Sequence, residues 1–229
     1  MPSKRFLNKV CVYCATTAAA VGDHVFAREF FTLQHRAGLP KVPACTRCNT
    51  EKSKVEHYLT TVLPFAGSHR QAKETLSEFV PPRLAKNKAL TRELHLGMRE
   101  VLVSDGHQTE KTFMLPLKVG ALEAWARFVV RGLLWHHWKT ILPDGGDVEI
   151  HFLSQAGEHY FEEHIFFRPA ERRIIETLGE GTFRYTGIQI PDNPLLSVWV
   201  IELYGGAVMA GDQTGPNNVS RYIGAFTGP

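Results

Sequence analysis

The sequence predicts an α+β protein, in which a small metal-stapled ββα module precedes a mixed helical and antiparallel-sheet domain. Three observations support this class. All four cysteines lie within residues 11–48 as two C-x-x-C pairs, helical periodicity dominates the middle of the chain, and short alternating strands follow Pro143. A composition with 44% hydrophobic and 21% charged residues is that of an ordinary globular protein.

The first segment is predicted to run strand, loop, strand, helix. The strings "DHVF" and "KVPAC" are typical of two short antiparallel strands, and a helix is expected to begin near Thr46. The apolar positions of this helix recur at helical spacing: Val55, Tyr58, Leu59 and Val62. Because Pro64 and Gly67 break the helix, we expect a first module of residues 1–65 and a second domain of residues 66–229.

The second segment is predicted to begin with helices. "SHRQAKETLSEFVPP" predicts a short helix stopped by Pro81 and Pro82, and "RLAKNKALTRELHLG" predicts a further helical piece. "REVLVSDGHQTEKTFMLPL" predicts two strands around a turn at Asp105-Gly106. "VGALEAWARFVVRGLLWHHWKTILP" has the strongest helical pattern of the chain, with an apolar side that includes Leu122, Trp125, Val129 and Leu133.

The last third of the chain is predicted to be rich in strands. The predicted strands are "DVEIHFL", "TFRYTGIQI", "LLSVWVIELYGG" and "AVMAGD", and the last two are expected to form a hairpin at Gly205-Gly206. "GEHYFEEHIFFRPAERRIIETLG", which lies between the first two, is predicted to add helix.

The two C-x-x-C pairs predict a metal site. Cys11 with Cys14, and Cys45 with Cys48, offer four thiolates that complete the tetrahedral coordination suited to zinc. Four cysteine ligands leave no position for water, so this zinc is expected to be structural. The alternative is four cysteines without a ligand.

The net charge of +3 is unevenly distributed along the chain. Residues 1–60 carry nine Lys and Arg against four Asp and Glu, and residues 61–131 carry eleven against seven. Residues 132–229 carry six against twelve. The excess of basic residues in the cysteine-containing half favours a polyanionic partner there, and the alternative is a solvated charged face.

No stretch of the sequence has the length and hydropathy of a membrane span or of a signal-peptide core. We therefore expect a cytoplasmic protein without membrane contact. Thiols stay reduced in the cytoplasm, which favours metal binding over disulfides for the four cysteines.

Two polar residues lie between the two cysteine pairs, and a third directly follows the second pair. Asp23 and His24 lie in the first predicted strand, and Asn49 directly follows the last cysteine. A carboxylate oxygen, an amide oxygen and an imidazole are therefore expected to converge on a small scaffold that the zinc stabilises.

The string "CVYC…DHVF…PACTRCNTEK" resembles the HNH (ββα-metal) endonucleases, of the zinc-containing bacterial type with two C-x-x-C knuckles. The resemblance covers about residues 11–56. It implies that His24 is the general base, that Asp23 and Asn49 hold a catalytic divalent metal, and that Lys52 faces phosphate. It also implies a restriction or phage-defence role.

The sequence departs from the pattern of this family at two places. The family has a further Asn a few residues before the second C-x-x-C, where this chain has Gly38 and Pro40 in "HRAGLPKVPAC". Ala27 replaces a proline that usually follows the DH-hydrophobic pair. Support for the loop that carries the histidine must therefore come from other residues, or the site is weakened.

The residue types suit phosphodiester hydrolysis independently of the resemblance. His24 is a base that titrates near neutral pH, and Mg²⁺ or Mn²⁺ prefers oxygen ligands such as those of Asp23 and Asn49. Basic side chains for DNA binding are expected at Arg28, Arg36, Arg47, Lys52 and Lys54. The sequence thus predicts a metal-dependent endonuclease that acts on DNA, with RNA not excluded.

Two rival functions remain open. One is a zinc-stabilised nucleic-acid-binding module without catalysis, and the other is a protein-interaction domain. The acidic C-terminal half predicts a regulatory role, a homodimer contact or the binding of an activating protein. His35 is a candidate for supporting the site, whereas His57, His136 and His137 are expected to be surface or core residues.

Overall fold

The predicted α+β class is confirmed by the computed structural model, which describes residues 5–104, 109–166, 172–209 and 220–229. These residues form helices and antiparallel sheets. The predicted turn at Asp105-Gly106 and the end of the predicted strand "AVMAGD" lie outside them.

The N-terminal segment forms a β-hairpin followed by a helix. Strand β1 (Val21–His24) pairs with β2 (Lys41–Ala44) in antiparallel register, with Asp23 opposite Val42 and His24 opposite Lys41. Helix α1 spans Thr46–Val62 and begins at the residue that the sequence indicates. Two 3₁₀ turns, Arg28–Phe30 and Leu33–His35, lie in the connection between the strands.

Three short helices, a hairpin and a long helix follow. The short helices are α2 (Arg70–Glu78), α3 (Val80–Lys86) and α4 (Lys88–Gly97), and the hairpin consists of β3 (Arg99–Ser104) and β4 (Thr109–Met114). The long helix α5 spans Val119–Trp138. Helix α2 ends at Glu78, before Pro81 and Pro82 as predicted, and these prolines lie in the first turn of α3, where a missing N–H costs nothing.

The C-terminal segment forms one antiparallel sheet with the strand order β5-β9-β8-β7-β6. Its strands are β5 (Asp147–Ser154), β6 (Arg173–Leu178), β7 (Phe183–Ile190), β8 (Asn193–Leu203) and β9 (Ser220–Gly228). Helix α6 (Gln155–Phe161) follows β5 and continues as a π-helical turn over Glu162–Phe166.

Two predictions in the C-terminal segment are wrong. The residues of β6 were expected to be helical, but "RIIETL" pairs with β7, because its β-branched side chains suit a pleated edge strand. A hairpin was expected at Gly205-Gly206, but β8 pairs with β7 and β9, and residues 207–209 form no strand. The glycines instead form a turn in which both have positive φ angles.

The main hydrophobic cluster of the described residues joins the two halves of the chain. Phe26 stacks on Tyr185 with ring centroids 5.8 Å apart, and Phe30 packs against Trp125 of α5 and Phe183 of β7. The Tyr204 hydroxyl donates to the Phe30 carbonyl at 2.7 Å. The buried cluster that contains these rings also includes the four cysteines, so packing is continuous across the predicted boundary at residue 65.

The sheet is covered on both faces. Helix α5 and the N-terminal segment lie on one face, and α6 contributes Phe161 to a smaller cluster with Ile188, Val200 and Phe166 on the other. None of the helices in the described ranges is both long and apolar enough to cross a membrane.

Candidate metal centre and the polar site beside it

The four cysteines converge as predicted. The Sγ atoms of Cys11, Cys14, Cys45 and Cys48 all lie within 4.8 Å of one another, and all four residues are buried. Thiolates that bind one zinc ion at about 2.3 Å stand roughly 3.8 Å apart, and the Sγ atoms of Cys14 and Cys45 are separated by 4.0 Å. The cluster therefore forms a candidate structural metal site that is consistent with zinc.

Local hydrogen bonds shape both knuckles. In the first knuckle, the N–H of Ala15 donates to the Cys11 carbonyl and the N–H of Cys11 donates to the Thr17 carbonyl, each at 2.9 Å. In the second knuckle, Cys45 is the N-cap of α1, and its sulfur accepts the N–H of Cys48 at 3.5 Å. Backbone N–H groups that point at sulfur are suited to holding thiolates.

The three predicted site residues lie on β1 and in the first turn of α1. Asp23 and His24 end β1, and the Asn49 N–H donates to the Cys45 carbonyl at 3.0 Å. Lys52 follows Asn49 by three residues and therefore shares its face of the helix. Because Lys52 contacts both Asp23 and His24, this face of α1 is the one that meets β1.

A buried ion cluster joins α1 to β1. The Nζ atom of Lys52 lies 3.1 Å from Oδ2 of Asp23 and 2.5 Å from Oε1 of Glu56, and the Lys52 side chain is 0% exposed. The Tyr13 hydroxyl donates to the same Asp23 oxygen at 2.6 Å. The single Lys52 ammonium thus contacts two carboxylates, whose side chains are 12% and 8% exposed.

Lys52 differs from the expectation that it faces phosphate. Its ammonium group is fully buried and contacts Asp23 and Glu56, so it pairs with side chains of the protein itself. The other predicted contacts to nucleic acid, Arg28, Arg47 and Lys54, are exposed. Arg36 is directed elsewhere: its Nε donates to the Phe31 carbonyl at 3.0 Å, and its guanidinium lies over the ring of Phe79.

Lys52 and Pro40 support the backbone at His24, in place of the Asn that this chain lacks. The Lys52 ammonium donates to the His24 carbonyl at 2.7 Å, and the Val25 N–H donates to the Pro40 carbonyl at 2.9 Å. Pro40 stands near the place of the missing Asn. The carbonyl of His24 and the next N–H are therefore both fixed.

The surroundings of His24 favour its neutral form. Burial and, after it, the positive charges of Lys41, Arg28 and Lys52 lower the pKa of His24 to about 4, against the opposing effect of Asp23. At neutral pH the imidazole therefore has a free lone pair. The exposed Arg28 and Lys41 give this end of β1 a positive surface charge.

The buried surroundings of Glu56 disfavour its charged form. Burial and, in addition, the nearby Asp23 charge raise the pKa of Glu56 to about 7. The Lys52 charge opposes this rise. The Trp125 indole N–H is close enough to lower this pKa as well, yet it lies outside hydrogen-bonding geometry. The carboxyl group therefore gains and loses a proton near neutral pH.

Three polar groups near the ion cluster have no side-chain partner in the described ranges. Oδ2 of Asp23 accepts from Tyr13 and Lys52, whereas no side-chain hydrogen bond in those ranges engages Oδ1 of Asp23, the Asn49 amide or the His24 ring. Carboxylate and amide oxygens are of the type that Mg²⁺ accepts. Oδ1 of Asp23 and the Asn49 amide oxygen are therefore the candidate ligands for a divalent cation.

Sequence reasoning missed three residues of the site. Tyr13 and Glu56 complete the ion cluster, and Lys41 lies opposite His24 in the hairpin. The i,i+4 spacing of Lys52 and Glu56 was a readable signal for their pairing. His35 was a candidate for supporting the site, but its Nε2 lies 3.5 Å from Glu180 instead.

Comparison of the chain with protein-family models, with curated proteins and with solved structures finds no match.

Proposed function

We propose that this protein is a metal-dependent endonuclease that hydrolyses DNA phosphodiester bonds at the junction of β1 and α1. The observation that carries the proposal is the placement of Asp23 and His24 on a strand that meets the Asn49 face of α1, beside a four-cysteine site. This is the arrangement that the resemblance to HNH endonucleases implies. The exposed Arg28 and Lys41 beside His24 favour an anionic substrate.

His24 is the proposed general base. Its neutral imidazole accepts a proton from the water that attacks phosphorus, a role that contributes about 10²–10⁴ in rate. Lys52 acts as a positioning residue, since it holds the His24 carbonyl and the Asp23 carboxylate against α1. Arg28 and Lys41 are placed to neutralise the phosphate that is being cut.

Asp23 and Asn49 are the proposed ligands of a catalytic Mg²⁺ or Mn²⁺. A hard divalent cation supplies Lewis-acid neutralisation of the phosphate and of the leaving oxygen when it is bound. The zinc proposed at the four cysteines has a different task. It fixes the start of α1, and with it the position of Asn49, because Cys48 is the preceding residue.

Plasmid cleavage with Mg²⁺, with Mn²⁺ and with EDTA tests the proposal. We expect cleavage that requires a divalent cation and that Asn49→Ala reduces, with partial rescue at high metal concentration. Thr50→Ala is the matched control, because Thr50 is the exposed next residue of the same helix turn. Cleavage that persists in EDTA, or equal activity of both variants, would contradict the assigned ligands.

A second candidate function is a nucleic-acid-binding module without catalysis. The observation that favours it is the engagement of one Asp23 oxygen by Tyr13 and Lys52, which leaves a single oxygen of this carboxylate for a cation. DNA binding by a wild-type protein that cuts neither supercoiled nor linear DNA under any metal would select this alternative.

A further inference from the structure

Two lysine ammonium groups lie near the Trp135 indole ring, and Arg5 lies over the ring of the neighbouring Phe6. The Lys139 ammonium lies 4.5 Å from the centroid of a Trp135 ring, and the Lys9 ammonium lies 6.0 Å from it. Arg5 is close enough for its charge to act on Lys139. We call Arg5, Lys9 and Lys139 the basic cluster; all three residues are exposed, and Trp135 is half-buried.

The basic cluster is connected to the strand of the candidate site. Phe6, which follows Arg5, packs edge-on against Trp135 with ring centroids 6.2 Å apart. Its ring also lies against Gly22, where an added Cβ would meet it at less than van der Waals distance. The Ala19 N–H donates to the Lys9 carbonyl. The segment that carries Arg5 and Lys9 therefore contacts residues that shortly precede Asp23 and His24 in the chain.

The contacts of Phe6 with Trp135 and with Gly22 place the basic cluster beside the strand that ends in Asp23 and His24. Duplex DNA carries phosphates at short, regular intervals. A duplex that presents one phosphate to His24 can therefore present others of the same molecule to the basic cluster.

The cations of the cluster converge without acidic partners. No ion pair of the described residues involves Arg5, Lys9 or Lys139. Burial and the charges of Arg5 and Lys9 lower the pKa of Lys139, so the groups repel one another in the free protein. Lys139 donates to the Trp135 and His136 carbonyls at the end of α5, which uses two of its three N–H bonds.

We propose that the basic cluster is a second DNA-binding surface, which holds backbone phosphates beside the candidate nuclease site. Bound phosphates relieve the repulsion among the three cations, and the Trp135 ring orients the two ammonium groups through cation–π contacts. The inference rests on the proposed function for the identity of the polyanion as DNA. It extends the expected DNA contact beyond residue 131, into the half of the chain that carries excess acid.

DNA binding in EDTA tests this proposal separately from cleavage. The affinity of the full chain for a labelled duplex is measured by fluorescence anisotropy between about 50 and 200 mM salt. We expect the triple variant Arg5→Gln, Lys9→Gln, Lys139→Gln to bind at least about tenfold more weakly, with a salt slope reduced by about 2–3. The single variant Lys9→Gln, which breaks no side-chain hydrogen bond, should reduce the slope by about 1.

A charge-matched control separates the cluster from net charge. Lys73, Lys86 and Lys88 are exposed on or beside α2, α3 and α4, and their replacement by Gln removes the same total charge. Equal weakening by both triple variants, or unchanged binding by the cluster variant, would overturn the proposal. Weaker binding by the cluster variant alone would support it even if the wild type cut no DNA. A wild type that binds no DNA in EDTA would overturn this proposal, whereas the proposed nuclease stands or falls by plasmid cleavage with Mg²⁺ or Mn²⁺.

Discussion

Lys52 is the side chain on which the geometry of the site depends most. It is fully buried, and it contacts Asp23, Glu56 and the His24 carbonyl at once. Lys52→Met keeps the volume but leaves two buried carboxylates without a counter-charge, so we expect a loss of about 3–5 kcal/mol in the free energy of unfolding. Chemical denaturation measures this loss. Lys54→Met, at an exposed position two residues further on, should change stability by less than about 0.5 kcal/mol.

Glu56 should make stability depend on pH. Its pKa is raised from 4.5 to about 7 in the folded protein, so between these values the folded state binds more protons than the unfolded state. Stability from this group is therefore present at low pH and is lost as pH rises through about 7. We expect Glu56→Gln to gain stability relative to the wild type between pH 5 and 8, by up to roughly 3 kcal/mol. Denaturation midpoints that move in parallel for both proteins would show that Glu56 does not titrate in this range.

At the scale of elements, helix α5 packs closely against Val25, the residue that follows β1. An added Cβ at Gly132 would lie 3.0 Å from Cγ2 and 3.1 Å from Cγ1 of Val25, which is fully buried. Alanine favours a helix over glycine by about 1 kcal/mol, but overpacking costs about 1–3 kcal/mol. We therefore expect Gly132→Ala to destabilise the protein in thermal unfolding. Gly120→Ala, in the first turn of the same helix with open space around it, should stabilise it.

Some helices and strands of this fold can be predicted from local sequence patterns, and others cannot. The start of α1, the β1–β2 hairpin and the extent of α5 follow from local patterns. These are the second C-x-x-C pair, two short strand-like strings and an apolar helical stripe. Strand β6 could not be identified in this way, because "RIIETL" belongs to a stretch that was predicted to be helical and its partner β7 lies beyond a turn. Its structure is set by pairing rather than by its own periodicity.

The same limit applies to the candidate site. The spacing of Cys11, Cys14, Cys45 and Cys48 predicted their convergence, because few other arrangements satisfy four thiolates. The burial of Lys52 could not be predicted, since its two partners come from a strand and from the next helix turn, and a lysine in a basic segment is normally exposed.

At the scale of the whole molecule, the shared core couples the metal site to the sheet. The cysteines belong to the same buried cluster as Trp199 and Ile223 in the C-terminal sheet. We therefore expect Cys48→Ser to lose zinc and to expose both halves of the chain to protease, whereas the wild type binds one zinc ion per chain. Metal analysis with limited proteolysis measures both effects. Cleavage confined to residues before 65, or a folded wild type without zinc, would contradict this coupling.

The most direct test of the proposed nuclease is the cleavage rate of His24→Ala. This imidazole is not one of the four thiolates, so zinc content and fold should persist, and DNA affinity should stay within a few fold of the wild type. Cleavage in Mg²⁺ should fall by about 10²–10⁴, since the base that deprotonates water is gone. His57→Ala, at an exposed position of α1, is the control and should cut at the wild-type rate. A His24→Ala protein that cuts DNA as fast as the wild type would contradict the account.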